Sequence, residues 1–324
     1  MDVVGVDVAK ATFDVALSLA EGKYRTRGNF SNTPKGHEEF VGWLAKHAPT
    51  AAVGMEATGV YHEALAERLV AQSITVYVFN PAQISAFAKS ELARSKTDRQ
   101  DAKLIARFCL AQHAAQSLPR PWVPLSPVQK TLRALVRRLE DLKSMRQMES
   151  NRRDVADRSV HGSIDMMIAT LDAQIAIAEK AIRQHINDDP DLRGRRDLLN
   201  SIPGIADTTS ALLLACLDDM RQFDDVRQVV AFVGLEPRIR QSGSWKGHTR
   251  ISKAGNSLLR AKLYMPAVCA KQHNPIIRRF CQRLALRGKK SKVIIVAAMR
   301  KLLHLAWGVL RSGRPFDPKY RLAG

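Results

Sequence analysis

Between Leu118 and Pro127 the chain carries Pro119, Pro121, Pro124 and Pro127. Each proline removes a backbone donor and fixes φ, so neither a helix nor an interior strand can run through this stretch. The 324 residues are therefore expected to fold as more than one body, with a stiff linker between them. Length agrees, at roughly 150 residues per domain. With 45% hydrophobic and 25% charged residues there is enough apolar material for true cores, which excludes wholesale disorder and collagen-like repeats.

Upstream of the linker, strand and helix signals alternate. Val3-Val4-Gly5-Val6 reads as a buried strand, Thr12 to Leu19 alternates in polarity, and Tyr24 to Phe30 follows the Glu21-Gly22 turn as a third strand. Thr33-Pro34 opens a helix with an N-cap and an early proline, continued by Phe40, Val41 and Leu44. Ala51 to Met55 is strand-like, about Val60 to Ala71 helical, Ile74 to Phe79 a strand, and Asn80-Pro81 starts another helix. Thr97 and Gln100 form a capping box, so a further helix is expected from there to about Gln112. The order β-β-β-α-β-α-β-α predicts a mixed sheet with helices packed on it.

Downstream, Leu132, Leu135, Leu139 and Leu142 recur at spacings of three and four within a charged helical stretch from Val128 to about Arg158. A stripe that narrow is the pattern of a coiled-coil seam. After a break at His161-Gly162-Ser163, a second helix carries Ile164, Ile168, Leu171, Ile175, Ala178 and Ile182 on one face. The pair predicts an antiparallel hairpin, of the kind that joins subunits. Helices are then expected over Arg195 to Ser201, Asp207 to Leu217, Asp224 to Val233, Asn256 to Gln272, Pro275 to Arg287 and Val293 to Leu310. The expected division is thus residues 1–118, a linker and arm over 119–190, and a mainly α-helical part over 191–324.

The charge is lopsided. Of the net +20, almost all lies in residues 235–324, which hold 21 basic residues against only Glu236 and Asp317. A solubilising surface normally mixes both signs, so this block implies a polyanion, and nucleic acid is the expected partner. The four cysteines are far apart with no CxxC pair, which argues against a zinc module or a disulfide scaffold. The chain opens without a basic segment and apolar core, so no signal peptide is read. Val293 to Leu310 is interrupted by Arg300, Lys301 and His304, so no membrane span is expected and the address is taken as cytoplasmic.

Four carboxylates stand out in the first part. Asp7 ends V-V-G-V-D, Glu56 ends a strand in V-G-M-E-A-T-G, and Asp98 and Asp101 lie three apart in T-D-R-Q-D, on one helical face. Each alone reads as a surface acid. Carboxylates aimed at one spot repel unless a cation lies between them. Their pattern resembles the DEDD arrangement of the ribonuclease H-like fold in its RuvC-like, Holliday-junction-resolvase form, in which the first and fourth strands lie side by side. Oxygen-only ligands select Mg²⁺ or Mn²⁺, and two such ions would stabilise both the attacking and the leaving oxygen of phosphoryl transfer.

Two further segments carry chemistry. Leu198 to Ala215 (L-L-N-S-I-P-G-I-A-D-T-T-S-A-L-L-L-A) resembles a helix-hairpin-helix that offers amides to a phosphate; a structural turn between packed helices fits equally, since Ala206 stands where a second glycine is usual. Pro237 to Asn256 reads as a glycine-rich mobile loop, with Arg238, Arg240, Lys246, Arg250 and Lys253 able to surround a phosphodiester. Ser242 and Ser244 are both candidate nucleophiles there, and composition does not choose between them. Trp245 fits stacking on a base or packing under the loop; Lys96 and Arg99 fit strand contacts or plain helix-end charges. His248 and His273 read as surface residues.

In order along nearly the whole chain, G-V-D-V-A-K, E-A-T-G-V-Y, N-P-A, K-T-D-R-Q-D-A, S-I-P-G-I, A-F-V-G-L-E-P-R, S-G-S, I-S-K-A-G-N, L-R-A-K-L-Y-M-P-A and G-V-L-R-S-G-R-P-F-D resemble the DEDD transposases of the one-ten family of insertion sequences, relatives of Piv-type DNA invertases. The resemblance implies that Asp7, Glu56, Asp98 and Asp101 hold the metal ions and that Ser242 forms a covalent phosphoserine link to DNA. It also implies a bridge RNA pairing with double-stranded donor and target DNA, and a homo-oligomer, dimer to tetramer, completing its sites between subunits. The rival readings are a metal-dependent junction resolvase or nuclease using water, in which Ser242 would be dispensable, and an architectural nucleic-acid protein without chemistry.

Overall fold

The computed structural model describes residues 2–19, 22–57, 59–91, 98–217, 223–238, 241–242, 245–246 and 250–319; of 98–99, 241–242 and 245–246 it describes the backbone alone. The chain divides into two compact units, 1–124 and 125–324.

The first unit is built on a five-stranded sheet of β1 (Val3–Val8), β2 (Thr12–Ser18), β3 (Tyr24–Ser31), β4 (Ala52–Glu56) and β5 (Val76–Phe79), in the order β3-β2-β1-β4-β5. β1, β2 and β3 form the antiparallel meander, while β4 joins β1 and β5 joins β4 in parallel. The first and fourth strands are therefore neighbours, and the sheet is mixed.

Local chemistry sets the helix starts. Thr33 accepts from the Gly36 amide to cap α1 (Pro34–His47). Asn80 caps α3 (Pro81–Ser90) by accepting from the Ala82 amide, with Gln83 reaching back to the Asn80 amide. Between them lies α2 (Glu63–Ala71). The helix that follows α3 is α4 (Asp98–Ala114); Thr97, expected as its cap, lies outside the described residues.

Strand alternation divides the first unit's core. Val4, Val6, Val8, Val53 and Met55 pack with Phe40 and Leu44 of α1 and Leu65 and Leu69 of α2. On the other face, Val3 and Phe79 pack with Ile105, Ala106, Phe108 and Cys109 of α4. Burial pushes the Cys109 thiol up to about 12, so it stays a neutral apolar filler.

The second unit begins with the arm, α5 (Pro127–Val155) and α6 (His161–Asp188). Arg153 pairs with Asp165, Arg146 with Asp172 at 2.6 Å and Lys143 with Glu179 at 2.8 Å; one number falls as the other rises, so the helices run antiparallel. The break falls earlier than His161-Gly162-Ser163. Residues 156–160 make the turn, where Asp157 accepts from the Ser159 amide and hydroxyl, and Gly162 already sits in α6's first turn.

At its base the arm shares one core with the helices that follow: α7 (Pro190–Asn200), α8 (Asp207–Leu217), α9 (Val226–Val233), α10 (Ser257–Lys262), α11 (Tyr264–His273), α12 (Pro275–Leu286) and α13 (Ser291–Ser312). The helix expected over Asn256 to Gln272 is two, divided at Leu263. Against the expectation that this segment is too polar to span a bilayer, α13 is long and apolar enough to do so by length and composition alone. Its place explains the composition: Ala298, Leu302, Leu303 and Ala306 are fully buried in this core.

Candidate active site

Val6 of β1 pairs with Met55 of β4, so the next residue on each strand, Asp7 and Glu56, stands level with the other, about 5 Å apart at Cα. Both lie at the carboxyl ends of parallel strands. Alternation from Gly5 and Gly54 turns both side chains to the sheet face that α4 covers.

The approach of α4 depends on glycine. A Cβ on Gly5 would overlap the Ala102 carbonyl oxygen and the Ala106 amide, and one on Gly54 would lie 3.2 Å from the Cys109 Cβ. With Ala102 seated on Gly5, Asp101 is its sequence neighbour and Asp98 lies one turn earlier. The fold thus gathers Asp7, Glu56 and α4's first turns at one face. Asp7, Glu56 and Asp101 are all half-buried. Among the described residues no three His, Cys, Asp or Glu side chains are gathered as a metal site; the side chain of Asp98 lies outside the description. The donor set itself, carboxylate oxygens alone, suits a hard divalent cation.

Two neighbours of this pair were missed in the sequence. Asp14 lies across from Asp7 in the antiparallel pairing, and its Oδ1 accepts from the Asn29 amide at 2.8 Å, where β3 carries an irregularity and Asn29 has φ 60°. Asn32, just beyond β3, donates from Nδ2 to the carbonyl oxygens of Ala9 at 3.0 Å and Tyr61 at 3.1 Å. Its Oδ1 meets His37 Nε2 at 2.7 Å. Nothing in the spacing of a lone Asn and a lone His signals such a pairing.

In the second unit, Ser242 sits in a ribbon where a mobile loop was expected. β6 (Pro237–Arg238) pairs with β9 (Arg250–Ile251), and β7 (Gln241–Ser242) with β8 (Trp245–Lys246). Ser242 pairs with Trp245 along the main chain, so the pairing of β7 with β8 sets its place. The base is tied down: the Ser252 amide donates to Glu236 O at 2.8 Å and the Asn256 amide to Phe232 O at 2.8 Å.

Arg238 and Arg250 are paired across β6 and β9, and both are exposed, as is Lys253. Arg240, Ser244 and His248 lie outside the described residues, as does Lys96; the side chains of Lys246, Trp245, Arg99 and Ser242 do as well.

The Pro203-Gly204 segment is a packed turn. Gly204 has φ 107° and a Cβ there would lie 2.6 Å from the Ala270 Cβ, while Asn274, fully buried, donates to Pro203 O at 3.4 Å. Asp207, opening α8, accepts from Asn200 at 2.6 Å, which places a carboxylate of the chain's own at that helix start.

A basic ridge was also missed. Arg279, Arg283 and Arg287 recur every four residues along α12 and its end, about 6 Å apart along the axis. Arg278, Lys289, Lys290 and Lys292 flank them, all seven are exposed, and no acid occurs from 237 to 316. The signal was present in the sequence as seven cations within residues 278–292.

A DEDD transposase profile matches residues 4–155, and one described as the transposase IS116/IS110/IS902 family matches residues 196–282. The chain is 35% identical over 321 residues to the pilin gene-inverting protein of Moraxella bovis, spanning 98% of each. It is 31% identical over 155 residues to the probable family 20 transposase of Pseudomonas aeruginosa, spanning 47% of this chain and 44% of that one. Among solved structures, RuvC of Thermus thermophilus matches 38% of this chain over its whole length, at 18% identity and a TM-score of 0.29.

Proposed function

The chain belongs to the IS110-type transposases and site-specific recombinases, and we propose that it cuts and exchanges DNA strands by divalent-metal-dependent phosphoryl transfer through Ser242. The observation that carries this reading is the level placement of Asp7 and Glu56 on adjacent parallel strands, on the face covered by the helix that bears Asp98 and Asp101. Mg²⁺ or Mn²⁺ held by these four carboxylates would stabilise the charge that builds on the attacking and leaving oxygens.

In the proposed step, the Ser242 hydroxyl oxygen attacks the phosphorus of the scissile phosphodiester and loses its proton. The bond from phosphorus to the 3′ oxygen breaks, and that oxygen leaves as a 3′ hydroxyl. The reverse attack by a different 3′ hydroxyl reseals the strand and returns the serine, so the bond energy is conserved without a nucleotide cofactor. A hydrolytic nuclease would have no use for the serine. Arg238, Arg240, Lys246, Arg250, Lys253 and the α12 ridge would neutralise backbone phosphates.

The same reading includes a bridge RNA that pairs with donor and target DNA, and a dimer or tetramer that completes each site between subunits. The +19 excess of residues 235–324 supports a polyanion of either kind. The test is an incubation of the full chain with Mg²⁺, DNA and RNA transcribed from the element's flanks, followed by a denaturing gel. A protein–DNA species that vanishes in Ser242→Ala and in Asp7→Asn supports the proposal. Cutting that persists in Ser242→Ala, with water as nucleophile, sinks it in favour of the resolvase reading.

A further inference from the structure

Asp7 and Glu56 are carried by different strands, and a connecting segment follows each: Ala9 lies two residues beyond Asp7, Tyr61 five beyond Glu56. One side chain bridges these segments. The Asn32 amide donates to both carbonyl oxygens, at 3.0 and 3.1 Å, which holds the two acceptors roughly 5 Å apart. With both Nδ2 hydrogens committed, only Oδ1 is left to meet the His37 ring, and as an acceptor it fixes His37 Nε2 as the donor of the 2.7 Å bond. His37 is held in turn, 4% exposed, in α1's first turn and against the Phe13 ring at 6.0 Å between centroids. The Asn32 amide nitrogen of the main chain also donates, to Ala11 O at 2.8 Å.

We propose that Asn32, oriented by His37, is a positioning residue for the acid pair: its side-chain amide ties together the two segments that follow the strands from which Asp7 and Glu56 project, and so holds that end of the site. This rests on the reading of those acids as metal ligands. An amide suits the task. It carries two donors in one rigid plane and no charge that would compete with a cation. A turn residue serving only to end β3 needs neither acceptor, since the sheet's own ladder and the Asn32 main chain already fix that corner. Outer residues that hold ligands in place typically change metal affinity by about 10–100-fold when removed.

The test uses the full chain and Mn²⁺ as probe, with binding followed by electron paramagnetic resonance or calorimetry, unfolding by calorimetry in EDTA, and the Ser242-dependent adduct followed against Mn²⁺ concentration. Asn32→Ala is expected to weaken Mn²⁺ binding about tenfold and to recover adduct formation at saturating metal. His37→Leu is expected to do the same, whereas His37→Gln, which retains a donor at the position of Nε2, keeps affinity near that of the parent. Unchanged Mn²⁺ affinity in Asn32→Ala, with only a lower Tm, overturns the proposal. Should Asn32→Ala fail to fold, the two His37 variants decide, because both leave the Asn32 donors in place; equal affinity in Leu and Gln variants then overturns it. Unchanged Mn²⁺ binding in Asp7→Asn would instead remove the metal reading itself, which separates the two failures.

Discussion

Gly5 lies so close beneath Ala102 that no side chain fits between them, and the helix carrying Asp98 and Asp101 reaches the strand carrying Asp7 only for that reason. Gly5→Ala must lift α4 or distort β1, since the obstructing atoms are backbone. The expected cost is about 1–3 kcal/mol or more, read as a lowered Tm, together with loss of the proposed strand cleavage. Gly162→Ala is the matched control: nothing lies within 4 Å of a Cβ there and the residue is already helical. It should stabilise by about 0.5–1 kcal/mol and leave activity as it was. An unchanged Tm in Gly5→Ala would mean that α4 does not press on β1 at this position.

Stability near neutral pH should depend on His37. Burial holds its pKa below the usual 6.5, against an opposing pull from Glu38. The unfolded chain then binds a proton that the folded chain refuses. Stability is therefore fully present above about 6.5 and declines as the pH falls through the folded value. Chemical denaturation at pH 7.5 and 5.5 measures the decline. His37→Gln keeps the donor to Asn32 but cannot titrate, so its stability should change less over the same interval. Equal slopes in the two proteins would assign the acid sensitivity elsewhere.

The ridge on α12 predicts a salt dependence. Arg279, Arg283 and Arg287 are exposed in a segment with no acid to neutralise them, so each is placed to displace one counterion from a nucleic-acid backbone. Replacing all three by Gln should lower the slope of log affinity against log salt by about 2–3 and weaken binding to unrelated sequences alike. Melting should hardly move, since none is part of the core. A filter-binding series over salt concentration checks this; an unchanged slope would leave the ridge as a solvated face.

How far the residues announce this architecture depends on the range of the interaction. The caps at Thr33 and Asn80 are local, each a side chain meeting an amide two or three residues on, and both were readable in the sequence. So was the succession of β1 to β5 along the chain, because alternation and turn residues are also local; that β1 and β4 lie side by side is a long-range pairing. The arm's break was misplaced because Gly162 looked like a turn, whereas Asp157 makes the turn by accepting from Ser159. The ribbon around Ser242 looks like a loop in the sequence because its two-residue ladders are too short to show a period. The Asn32 bridge joins residues 23 and 29 positions apart through main-chain carbonyls, which carry no sequence signature.

The arm offers a last test, of assembly. Met148, Met166 and Met167 are 55%, 72% and 51% exposed, and Val155 is 86% exposed, all on the outer half of the helix pair. Inside a single chain these side chains contribute little to folding. In a partnered arm they are the apolar surface available for burial, each worth up to about 1.5–3 kcal/mol when fully covered. Changing Met148, Met166 and Met167 to Gln should leave the Tm of the dilute protein within a few degrees and shift sedimentation toward the monomer. Leu139→Ala, by contrast, removes a side chain that is 5% exposed in the core at the arm's base, and should cost about 2–5 kcal/mol whatever the oligomeric state. If the triple variant sediments as the parent does, the arm's outer half is not where subunits meet.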